Sequence, residues 1–135
     1  MGETLGCEAN DMSKKIIVVD DSSVLRKELF LVLSSAGYEV VEATNGLHGL
    51  QRLDENPDAL MVLSDINMPE MSGIEMLTRI KTNPKYASLP VVMVTTEGNT
   101  EIMKQAKRAG AKGWIVKPFN NSLVLEAVKM FAGGA

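Results

Sequence analysis

Ile16-Ile17-Val18-Val19-Asp20-Asp21 runs through four consecutive β-branched residues and stops on two acids. A short apolar run without polar alternation suits a strand buried on both faces. Behind it, Leu25, Leu29, Val32, Leu33 and Ala36 recur at the i, i+4, i+7, i+8 spacing of one helical face, and Gly37 stands where a C′ residue ends a helix. Strand, charged loop and amphipathic helix together make one β-α unit.

The same alternation continues along the chain. Further strands are expected over Tyr38 to Ala43, Ala59 to Ser64, Pro90 to Val94 and Gly113 to Val116, and further helices over Gly46 to Asn56, Ser72 to Thr82, Thr100 to Ala109 and Asn120 to Phe131. Asn56-Pro57 and Asn83-Pro84 stop the second and third helices, because proline cannot donate the helical hydrogen bond and restricts the residue before it. Alternating strands and helices imply an α/β fold in which a parallel sheet lies between two helical layers. Ligands of such folds sit beyond the carboxyl ends of the strands, so the loops there are where chemistry is expected.

Length and charge narrow the possibilities. The 135 residues suit one domain, placed at residues 14–132, with a flexible leader at 1–13 and a short tail at 133–135. With 14 Lys and Arg against 17 Asp and Glu, the net charge of -3 offers no basic field for a phosphate backbone, so no nucleic-acid partner is expected. The longest apolar runs, Leu29 to Leu33 and Ala59 to Leu63, are far shorter than the roughly 18 residues of a membrane span. Cys7 is the single cysteine and cannot form an internal disulfide, and no export signal surrounds it, so a reducing cytoplasm is the expected compartment.

The strand ends carry a specific set of side chains: Asp20 and Asp21 after the first strand, Asp65 after the third, Thr95 and Thr96 after the fourth, and Lys117 after the fifth. Neighbouring carboxylates raise one another's pKa unless a cation lies between them, and a cluster of hard oxygens suits Mg²⁺. With Mg²⁺ on Asp20, Asp21 and one oxygen of Asp65, the other Asp65 oxygen is free to attack phosphorus. Mg²⁺ and Lys117 then neutralise the phosphoryl oxygens, and a threonine hydroxyl binds a third.

The strings Val19-Asp20-Asp21-Ser22, Leu63-Ser64-Asp65-Ile66-Asn67-Met68-Pro69, Met93-Val94-Thr95 and Val116-Lys117-Pro118-Phe119 resemble, in order, those of response-regulator receiver domains of two-component signalling. The resemblance spans about residues 14–131. It implies a flavodoxin-like (βα)5 three-layer sandwich with strand order 2-1-3-4-5, for which the chemotaxis member of this family is a known example. It implies Asp65 as the acceptor of a phosphoryl group from a sensor histidine kinase. Mg²⁺ would be held by Asp21, Asp65 and the main-chain carbonyl of Asn67, with Asp20 acting through water. Thr95, chosen over Thr96 on the family pattern, and Lys117 would contact the phosphoryl group, and Lys117-Pro118 would be a cis peptide.

Within that family the chain looks closest to the chemotaxis type, on Asn67 two residues after the acceptor, Glu97 two after Thr95, and the run Ala109 to Trp114 into the fifth strand. The resemblance implies that Asn67 and Glu97 tune the lifetime of the phosphorylated state. Trp114 takes the place of a switch aromatic that is commonly Tyr. The output expected is phosphorylation-dependent docking by a monomer, through the fourth helix, fifth strand and fifth helix, onto a downstream protein such as the flagellar motor switch, with a phosphatase as a further partner. On the fifth helix, Val124, Val128 and Phe131 form a core stripe, and Leu123, Ala127 and Met130 a second stripe assigned to docking together with Trp114. Phosphorelay intermediate, phosphate sink and regulator of a non-motor target are the alternatives. An aspartyl-phosphate phosphatase is more distant, because Asn67 stands where such an enzyme has its general acid. A flavin protein fits less well, because Asp20 and Asp21 would repel the flavin phosphate.

Overall fold

A computed structural model describes residues 14–96 and 100–132. The leader with Cys7, Glu97 and the tail at 133–135 lie outside the described residues. The elements are β1 (Lys15–Val19), α1 (Ser23–Ser35), β2 (Glu39–Ala43), α2 (Gly46–Glu55), β3 (Met61–Ser64), α3 (Gly73–Thr82), a 3₁₀ turn (Pro84–Tyr86), β4 (Val91–Thr95), α4 (Thr100–Ala109), β5 (Gly113–Val116) and α5 (Asn121–Phe131). The strands form one sheet in the order β2-β1-β3-β4-β5, every pair parallel. This is the flavodoxin-like sandwich expected from the sequence. No helix among the described residues is long and apolar enough to cross a membrane.

Side chains along each strand alternate between two cores, which is why the central strands are apolar on both faces over most of their length. Ile17, Val19, Val62, Val91 and Met93 pack with Leu53 of α2, Met76, Leu77 and Ile80 of α3 and Ala106 of α4. Ile16, Val18, Met61, Leu63, Val92, Val94 and Ile115 pack on the other side with Leu29, Val32 and Leu33 of α1 and Val124, Ala127 and Val128 of α5. Two helices therefore cover one face of the sheet and three the other.

Helix boundaries follow local chemistry. Side-chain oxygens of Ser22, Asn45, Ser72 and Asn120 accept the N–H groups of Leu25, His48, Glu75 and Leu123, capping α1, α2, α3 and α5. Gly37 closes α1 with φ +95°, the left-handed conformation that glycine adopts without steric cost. Ala36 falls outside the helix as its C-cap and is exposed, so the apolar stripe ends at Leu33. The 3₁₀ turn was not expected. Pro84 opens it, and the Lys81 ammonium donates to the carbonyls of Tyr86, Ala87 and Leu89 behind it. Burial, with Lys112 nearby, holds the pKa of that amine below the usual lysine range.

α5 corrects one assignment of the sequence reading. Ala127, grouped there with the docking stripe, is only 8% exposed and belongs to the core between α5 and the sheet. Its neighbours on the stripe diverge from it: Leu123 is 43% and Met130 70% exposed. The wide apolar arc is thus partly core and partly surface.

Candidate functional site

Asp20, Asp65 and Lys117 each stand one position beyond a strand, with the main-chain N–H still bonded to the adjacent strand. Asp20 donates to Ala43 O at 3.0 Å, Asp65 to Val19 O at 2.9 Å and Lys117 to Thr95 O at 2.9 Å. The ladder therefore fixes three backbones while their side chains project past the carboxyl edge of the sheet. There the Lys117 ammonium lies 3.2 Å from Asp20 Oδ2 and 3.3 Å from Asp65 Oδ2. The second carboxylate oxygens are held by the main chain: Asp20 Oδ1 accepts the Ser22 N–H at 2.9 Å, and Asp65 Oδ1 accepts the Ile66 N–H at 2.7 Å.

Asp21 completes the cluster from the exposed side, with one carboxylate oxygen from each of Asp20, Asp21 and Asp65 within 4.8 Å of one another. Three carboxylates against one ammonium leave two negative charges uncompensated, the charge of one divalent cation. Oxygen-only donors in a partly solvated cleft are what Mg²⁺ prefers, so the residues present fit that ion. Asp20 is the buried member of the three. Its burial raises its pKa above 3.8, a rise opposed by the Ser22 N–H and Lys117 and reinforced by Asp65.

Backbone packing sets the position of Asp65 as much as charge does. A Cβ on Gly73 would lie 1.9 Å from the Asp65 carbonyl oxygen, so only glycine lets α3 start against the Asp65 main chain. Gly73 also donates its N–H to Ile66 O at 2.8 Å, closing the loop that holds Asn67.

The other residues singled out from sequence fall as follows. Thr95 ends β4 opposite Val116 and is fully buried, whereas Thr96 is exposed. Asn67 is exposed in the loop after Asp65. Trp114 is 40% exposed on β5, on the same side of the strand as Val116, and Lys117-Pro118 is cis. His48 Nδ1 lies 3.1 Å from the Thr44 main-chain nitrogen, a contact that orders the turn before α2.

Sequence reasoning missed Gly73 and also Arg26, whose Nη1 donates to Asp20 O at 2.8 Å. Glycine opening the third helix was the only signal for the first. The second carried none, because an arginine on the first turn of a helix reads as a solvated charge.

Comparison with known proteins agrees with this geometry. The family model for the response regulator receiver domain matches residues 16–129. "Chemotaxis protein CheY1" of Helicobacter pylori is 37% identical over 120 residues, covering 88% of this chain and 97% of the relative. "Chemotaxis protein CheY" of Thermotoga maritima is 39% identical over 120 residues, covering 87% and 96%. Among solved structures, CheY4 of Vibrio cholerae superposes with a TM-score of 0.82 at 35% identity, covering 87% of this chain and 97% of its own. The CheX-CheY-BeF3-Mg²⁺ complex of Borrelia burgdorferi contains a chain that superposes with a TM-score of 0.80 at 30% identity, covering 86% and 87%. A family match over most of the length, with relatives above one-third identity across nearly all of it, makes this chain a member of the response regulator receiver domains, of the CheY-like kind.

Proposed function

We propose that the protein is a phosphorylation-driven switch of a two-component pathway, with Asp65 as the phosphoacceptor. One observation carries this: a single carboxylate at the end of the third strand faces both a lysine ammonium and two further acids. Asp65 attacks the phosphorus of a phosphohistidine on a sensor kinase. A P–O bond forms as the P–N bond breaks, and the electron pair leaves on the imidazole nitrogen. Asp21, Asp65 and the main-chain carbonyl of Asn67 would hold Mg²⁺ directly, and Asp20 through water. When bound, the ion neutralises phosphoryl oxygens as charge builds on them. Lys117 neutralises another phosphoryl oxygen, and the Thr95 hydroxyl binds a third.

Output passes through the surface beside the site. Trp114 on β5 and Leu123 on α5 are large apolar side chains left exposed, and they supply a docking face together with α4. Movement of Thr95 toward the phosphoryl group and rotation of Trp114 couple the acceptor to that face, while Asn67 and Glu97 set the lifetime of the phosphorylated state. The chemotaxis names of the relatives favour the flagellar motor switch as target, and the CheX in the Borrelia complex favours a phosphatase as a further partner. The setting is cytoplasmic.

Phosphorylation with a small phosphodonor and Mg²⁺ tests the reading. The expected result is one acid-labile phosphate per chain, absent in Asp65→Asn, with a fluorescence change at Trp114. An undiminished yield in Asp65→Asn would overturn the acceptor assignment, and release of many phosphates per chain from phosphomonoesters would favour a phosphatase.

A further inference from the structure

We infer that Arg26 is a positioning residue for the metal-binding carboxylates, acting through the peptide unit that joins Asp20 to Asp21. The inference rests on the acidic cluster being a Mg²⁺ site.

Asp21 is exposed and lies past the last ladder bond of β1, so the placement of its carboxylate depends on how the main chain before it is held. Besides the Lys117 ammonium on its Oδ2, Asp20 is held at three points. Its N–H is bonded to Ala43 O, its Oδ1 takes the Ser22 N–H, and its carbonyl oxygen accepts Arg26 Nη1 at 2.8 Å. The third bond is the one that matters for Asp21, because that carbonyl belongs to the peptide unit leading into it. Rotation of the unit would swing Asp21 relative to Asp65, and the guanidinium opposes that rotation.

Arg26 is itself held from the far side. Its Nε lies 2.9 Å from Glu42 Oε1 on β2, and its side chain is only 16% exposed. Glu42 in turn has its carbonyl oxygen bonded by Arg52 Nε at 2.9 Å. The guanidinium therefore spans α1, the β1–α1 turn and the edge strand, using its planar fork to meet two acceptors in different directions. A lysine at this place offers a single point of charge and reaches one acceptor at a time.

Mg²⁺ titration by calorimetry on wild type, Arg26→Met and Arg26→Lys, with folding followed by circular dichroism, tests the inference. Loss of a group that orients metal ligands weakens metal affinity on the order of 10-fold, so folded Arg26→Met is expected to bind Mg²⁺ about 10-fold more weakly than wild type. Folded Arg26→Met binding Mg²⁺ as wild type does would overturn the inference and leave Arg26 a purely structural ion-pair residue. If Arg26→Met does not fold, Arg26→Lys decides: weakening on the order of 10-fold supports the positioning role, and unchanged affinity overturns it. Absence of Mg²⁺ binding in wild type would overturn the metal reading itself, a result distinguishable from failure of the arginine's role alone.

Discussion

The Lys117 ammonium stands 3.2 Å from the carboxylate of Asp20, and that carboxylate is only 2% exposed. An ion pair so deeply placed offsets only part of the cost of taking a charge out of water, and here burial outweighs the lysine: the Asp20 pKa is raised. A raised pKa means that the fold binds the Asp20 proton more tightly than the unfolded chain does. The resulting stabilisation is fully present below the reference value of 3.8 and is lost as pH rises through the higher folded value. At neutral pH, ionised Asp20 is a cost to the metal-free fold.

Asp20→Asn is therefore expected to raise the melting temperature of the metal-free protein at pH 7, by roughly 2–6 °C if about 1 kcal/mol is recovered. The advantage over wild type should shrink as pH falls toward 4 and the wild-type carboxyl protonates. Mg²⁺ should stabilise wild type more than the variant. Thermal melts with and without Mg²⁺ across that range check this, and a variant that melts lower at pH 7 would show that the Lys117 pair outweighs burial.

Lys117→Met removes the shared partner of Asp20 and Asp65. The metal-free fold should lose about 3 kcal/mol, because breaking a buried pair leaves its partner charges uncompensated. Mg²⁺ affinity should be kept or increased, since the cleft becomes more negative. Phosphoryl uptake should fall on the order of 100-fold, the scale on which one transition-state donor contributes. Denaturant titration, calorimetry and phosphorylation rates separate the three effects.

Gly73→Ala forces a methyl group onto the Asp65 carbonyl oxygen, 1.9 Å from the Cβ position. Either α3 or the acceptor's backbone must shift, at a cost of about 3 kcal/mol or more. Denaturant midpoints should show the loss, and phosphorylation should slow because Asp65, the proposed acceptor, is displaced.

The fold was legible because three of the five strands are short, mostly apolar runs followed by a charged residue: Asp20 after Val19, Asp65 after Ser64, Lys117 after Val116. Those breaks mark both the end of the sheet and the start of the site, so one signal carried both. Contacts that depend on distant segments were hidden. Nothing in the spacing of Arg26 and Glu42, or of Gly73 and Asp65, shows that they meet. The choice of Thr95 over Thr96 rests on family resemblance, because both follow the same valine run, and only the packing shows that Thr95 is buried and Thr96 exposed. On α5, periodicity alone drew an apolar arc wider than the core, and only the packing of Ala127 under the helix separates core from surface.

That division of α5 is testable with one charge placed at two neighbouring positions. Ala127→Asp puts a carboxylate where 8% of the residue is exposed, with apolar side chains around it, and should unfold the domain or cost several kcal/mol. Leu123→Asp places the same charge at a 43% exposed position and should change stability by only about 0.5 kcal/mol or less. Phosphorylation should proceed normally in Leu123→Asp, because Leu123 lies outside the acidic cluster. Binding of the beryllofluoride-activated protein to a motor-switch fragment should weaken if this face docks the target. Unchanged binding by a folded, phosphorylatable Leu123→Asp would move the docking face elsewhere, and loss of folding in that variant would return Leu123 to the core.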